Sequence, residues 1–133
     1  MPDDAVLCRN FTNLRDAQKS MGDQFQTLID ELISQLEDLL VGPYLDALRD
    51  GLAGATTPSE KLAAVRAAYQ KLLRDIRRLL NALAGASGAG APTDPWPVRA
   101  LPLYDRLIML LRGLIVLRDL ESAFDGFVRE WCD

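Results

Sequence analysis

Paired carboxylates are the first candidates for chemistry in this sequence: Asp30-Glu31 and Glu37-Asp38. Acid–base catalysis needs two such groups placed on either side of a reacting bond in contrasting environments. Each of these pairs is instead adjacent on the polar side of one helix. A carboxylate-bridged diiron site would use Glu-x-x-His on facing helices, and the 133 residues contain no histidine. The same absence removes the usual general base, the haem ligand, His-containing zinc sites and the Ser-His-Asp and Cys-His arrangements. Serine and threonine hydroxyls then lack an activating base. A lysine base would need burial, and Lys19, Lys61 and Lys71 read as exposed. The glycines from Gly85 to Gly90 lack the preceding strand and the lysine of a phosphate loop. Two cysteines are too few for a structural metal site. The expectation is a protein that is not an enzyme and uses no cofactor or metal.

The elements that would carry any binding residue are helices. Phe11, Leu14, Met21, Phe25, Leu28, Leu32, Leu36 and Leu39 recur at steps of three, four or seven, widened by Ile29, Ile33 and Leu40. This predicts an amphipathic helix over about 11–41, with a bend at Gly22. Gly42-Pro43 ends it and opens a short helix over about 43–52. Thr57-Pro58-Ser59-Glu60 is a capping box with proline at the first helical position, predicting a helix over 58–84. Residues 85–97 read as a linker, Gly/Ala/Ser-rich and then proline-rich. The last helix is expected over 102–131. Its apolar side moves from Leu107, Ile108, Leu111 and Leu114 to Leu117, Leu120, Phe124, Phe127 and Trp131, and between them nearly every direction is apolar. Such a helix is central to the fold or docks a partner. Gly113 would let another helix approach.

The chain is therefore expected to be a single domain, 1–133, folded as an all-α, up-and-down bundle of three long helices and one short. The eleven-residue run Leu107–Leu117 is about half a bilayer in length, so no membrane span is expected.

Cys8 and Cys132 are either unrelated thiols, the cytosolic default, or a bridge between the two ends of the chain. Asn10-Phe11-Thr12 is an N-glycosylation sequon beside Cys8. Together they favour a secreted, extracellular origin, with a cytoplasmic one as the alternative. The bridge raises a parity problem. Three long rods in up-down-up order leave the ends some 40 Å apart, whereas a disulfide needs its Cα atoms within about 7 Å. Either the short helix is a fourth rod, or Gly22 splits the first helix, or the bridge is intermolecular or absent.

Net charge is −4, with 15 basic and 19 acidic residues, which argues against a nucleic-acid partner. Asp16, Asp23, Asp30, Glu31, Glu37 and Asp38 form an acidic edge on the first helix. Arg66, Lys71, Arg74, Arg77 and Arg78 form a basic face on the third and are the candidate partner-binding residues. Alternatively the two edges are solvated and pair with each other across the bundle.

With Cys8 just before the first helix, Cys132 ending the last and about 130 residues between, the chain resembles helical cytokines of the four-helix-bundle class, the short-chain interleukin and erythropoietin type. The segment from Ile76 to Leu120 is similar in texture, with Ile-Arg-Arg-Leu-Leu-Asn-Ala-Leu, a Gly/Ala/Pro linker and Leu-Leu-Arg-Gly-Leu-Ile-Val-Leu. The resemblance covers about half the chain and departs from the class at 43–52, too short for one of four comparable helices. It implies a Cys8–Cys132 disulfide and a secreted ligand that gathers a cell-surface receptor through faces of its first, third and last helices. The alternative reading is an intracellular adaptor or oligomer-forming subunit that uses the apolar last helix. A third is an apolar-ligand site between Phe124, Phe127, Trp131 and the first helix.

Overall fold

The computed structural model describes the backbone of residues 2–85 and 96–132. It contains four helices: α1 (Pro2–Leu39), α2 (Pro43–Ala53), α3 (Pro58–Gly85) and α4 (Trp96–Trp131). Fold class and helix order are as expected, three long and one short, but two helices start earlier. α1 begins at Pro2 and not near residue 11. Residues 2–10 lack an apolar repeat, yet proline at the first position followed by Asp3 and Asp4 suits a helix N-terminus. α4 begins at Trp96 and runs through Pro102. Pro97 falls in the first turn, where its missing N–H matters least, and Pro102 removes one hydrogen bond a turn later. Most of the expected linker 85–97 lies outside the described residues, while Gly85, Trp96 and Pro97 belong to helices.

The turns follow their local chemistry. Gly42 has φ +57°, the left-handed conformation that glycine adopts without strain. Thr57 Oγ1 accepts the Glu60 N–H at 3.2 Å and donates to the Glu60 carboxylate at 3.0 Å, closing the capping box.

Contacts set the helix directions. Arg15 meets Asp125 and Asp23 meets Arg118, so α1 and α4 are antiparallel. Tyr44 bonds Asp75 and Gly51 lies against Ala64, so α2 runs against α3. Pro97 shares a cleft with Ile76 and Arg78, and Asp105 accepts from Tyr69 further along, so α3 runs against α4. The order is up-down-up-down, and the 11-residue α2 serves as the fourth rod. That resolves the parity problem with α1 unbroken at Gly22. The Cys8–Cys132 disulfide closes the pair at a Cα–Cα distance of 5.1 Å.

The short α2 leaves the bundle uneven. α1 and α4 are each about 55 Å long, and α2 about 16 Å. The buried core runs through Ile29, Leu32, Leu36 and Leu40, Leu48 of α2, Val65, Leu72 and Ile76 of α3, and Ala100 to Leu117 of α4. Before Gly22 and after Leu117 no described residue is buried. Beyond the four-helix end, α1 and α4 continue as a two-helix arm.

Candidate functional site

The five candidate cations on α3 fall into two rows. Arg66 and Arg77 lie in one line with Gln70 and Leu73, at the four- and three-residue steps of a helix face. This line borders a groove of about 550 Å³ between α3 and α4, with Tyr69, Leu73, Ile108 and Met109 along it and Arg66 and Arg112 at its rim. Lys71 and Arg78 form a second row turned toward α2, where Arg78 sits 3.7 Å from Asp75. Arg74 lies between the rows. Arg66, Arg74, Arg77 and Arg78 are exposed, whereas Lys71, like Lys61, is half-buried and not exposed as its position suggested.

The alternative in which an acidic α1 pairs with a basic α3 is not what the described residues show. Asp23 pairs with Arg118 of α4 at 2.9 Å and Glu37 with Arg49 of α2 at 3.2 Å. α4 lies between much of α1 and α3. Among the described residues Arg66, Arg74 and Arg77 make no ion pair.

Three tyrosines organise the ground beneath these rows. The Tyr69 hydroxyl donates to Asp105 at 2.8 Å. Burial, helped by this bond, pushes its pKa up to about 12. Tyr44 donates to Asp75 at 2.8 Å, which raises its pKa. Tyr104 is fully buried with its ring 5.1 Å from that of Tyr69, and its hydroxyl has no hydrogen-bond partner among the described residues. Burial alone pushes it up to about 12. A neutral phenol held this way anchors α3 on α4.

No family model, curated protein or solved structure is significantly similar to this chain. Its chemistry therefore rests on the geometry alone. No group of three His, Cys, Asp or Glu side chains among the described residues is placed to hold a metal ion. No described helix is long and apolar enough to cross a membrane.

At the arm, Phe11 stacks on Phe127 at 4.9 Å, and Phe124 tilts against Phe127 at 6.4 Å. Of the three aromatic residues in the third reading, Phe124 and Phe127 thus pack on each other and on Phe11. Asn10 of the sequon is exposed, and Thr12 donates its hydroxyl to the Cys8 carbonyl at 2.8 Å.

Arg112 was missed as a candidate. Its signal was a charge inside the apolar run Leu107–Leu117, which on a helix must point away from the core.

Proposed function

We propose that this protein is a secreted, non-enzymatic ligand of the helical-cytokine kind that binds a cell-surface receptor through the α3–α4 face. The observation that carries this reading is the row Arg66–Arg77 beside the groove. Arg66 and Arg112 line the groove beside the apolar Leu73, Ile108 and Met109, and Arg77 continues the α3 row one turn further; among the described residues Arg66 and Arg77 make no ion pair. Arginine around an apolar centre suits a protein partner with acidic residues, because the planar fork binds carboxylates in pairs. Supporting it is the Cys8–Cys132 bridge, which the resemblance implied and which is a bond that persists in oxidising compartments.

The test is saturable binding of labelled, disulfide-bonded protein to the surface of cells from its own source. Binding is expected to be displaced by excess unlabelled protein. It is expected to fall at least about tenfold in Arg66→Glu and Arg77→Glu, a charge reversal at a rim residue being worth about 1.4 kcal/mol or more. Non-saturable binding, or binding indifferent to both substitutions, overturns the proposal.

A further inference from the structure

The α1–α4 pair has a second face that the bundle does not use. On α1, Asn10, Leu14, Ala17, Met21, Gln24 and Leu28 follow one another at steps of 4-3-4-3-4, and all six are exposed. On α4, Met109, Gly113, Val116, Leu120, Ala123 and Phe127 repeat the same steps, and all but Gly113 are exposed. Steps of three and four are the spacing of a coiled-coil seam, in which each side chain fits between four of a facing helix. Neither row contains a charge.

Both rows lie on one side of the pair. The ion pairs Arg15–Asp125 and Asp23–Arg118 bridge α1 and α4 on the other side. On each helix the apolar row is roughly half a turn away from those residues. α3 packs on the ion-paired side, through Tyr104, Leu107 and Leu111 of α4. The apolar side is therefore left bare from the arm to the middle of the bundle. Met109 is 69% exposed and Val116 56%, which is unusual for large apolar side chains in register with one another.

We infer that this face is the two-fold interface of a homodimer, with the α1–α4 layer of one copy packed on the α1–α4 layer of a second. Three observations select a second copy over another occupant. The face is uncharged, so its complement is an equally uncharged surface, and an identical copy presents one. The rows are of equal length on antiparallel helices, so a two-fold axis lays the α1 row of one copy along the α4 row of the other. The size also fits. Asn10 to Leu28 spans about 27 Å and two helices about 20 Å, giving roughly 540 Å² per copy, or about 1,100 Å² in all, just above the ~1,000 Å² that a specific interface needs.

Asn10 stands in the α1 row, so a glycan attached there would occupy the end of the interface. The dimer is accordingly a property of the unglycosylated chain.

Sedimentation equilibrium on the unglycosylated, disulfide-bonded chain tests this. A reversible dimer is expected. Leu14→Glu and Val116→Glu, each placing a charge in the face at an exposed position, should weaken it about a hundredfold with helicity by circular dichroism unchanged. Met109 borders both surfaces, but Arg66 lies outside the dimer face, so Arg66→Glu should weaken receptor binding and leave the dimer intact. Glycosylated protein should be monomeric. A wild-type monomer at all concentrations, including one that binds phosphatidylcholine vesicles instead, overturns the inference. So does a dimer that survives both Glu substitutions or the glycan.

Discussion

At one end of the α1–α4 pair, Leu36, Leu72, Leu107 and Leu111 are closed off from water by four helices; at the other, Phe11, Phe124 and Phe127 are covered by two. The four-helix end is held by apolar burial, about 1.5–3 kcal/mol for each large side chain removed from water. The arm buries no described residue fully. It relies on half-covered aromatic rings, on ion pairs such as Arg15–Asp125, each worth under about 1 kcal/mol, and on the disulfide at its tip. Two helices cannot enclose a core between them, so a covalent bond takes over where packing stops.

Cys132→Ser should have the largest effect. Closing a loop of 124 residues is worth about 4–5 kcal/mol as an upper value in the chain-entropy treatment. Hydrogen exchange should show the loss first in residues 4–20 and 119–131, with Leu36 and Leu111 amides protected longest. Uniform loss along α1 would break the distinction between the two ends.

Leu111→Ala at the four-helix end should cost about 2–5 kcal/mol through transfer and cavity terms. Leu14→Ala on the arm, 42% exposed, should cost under about 1 kcal/mol. Denaturant unfolding of dilute protein compares them directly, and equal losses would contradict the contrast.

A third comparison uses the two glycines where α1 and α4 come closest. A Cβ at Gly113 would lie 2.5 Å from Phe25 Cε2. The ring must shift, so Gly113→Ala should destabilise by about 1–2 kcal/mol even after the gain in helix propensity. A Cβ at Gly22 would meet only the guanidinium end of Arg118, at 2.8 Å. That tip swings away cheaply, so Gly22→Ala should stabilise by up to about 1 kcal/mol. Thermal melts of both variants decide it.

The smallest effect is on pH dependence and should be confined to the four-helix end, which holds all three tyrosines. Tyr69 and Tyr104 keep their protons up to about pH 12 in the folded chain against 10.0 when free. Their contribution is complete below pH 10 and fades as pH rises through about 12. Tyr104→Phe should reduce that alkaline loss. At neutral pH it should stabilise by about 1 kcal/mol, because it removes a buried hydroxyl that has no partner among the described residues. A neutral-pH loss on this substitution would mean that the hydroxyl does find one.

Much of this was legible from residue types. The capping box at Thr57 and the Gly42-Pro43 break set the limits of α2 and α3 within a residue. The all-round apolarity near Leu110–Leu117 marked α4 as central, and Gly113 as a close approach. Other features were not legible because they depend on partners far away in sequence. α1 starts at Pro2 although residues 2–10 lack a periodic face, and the distant partner in that segment is Cys132, which bonds Cys8 just past the end of α4. The single apolar stripe read on α1 is in fact two. Phe25, Ile29, Leu32 and Leu36 face the bundle, while Leu14, Met21 and Leu28 turn outward. A helical wheel places these rows only about a seventh of a turn apart, and only the location of α4 distinguishes them. The candidate site was half visible: the α3 cations were evident by type, but their division into two rows depends on which flank α2 and α4 occupy.

The bond between Cys8 and Cys132 makes a covalent ring of everything between them. A protease cut between Gly54 and Thr57 would leave two fragments that migrate together until reductant is added.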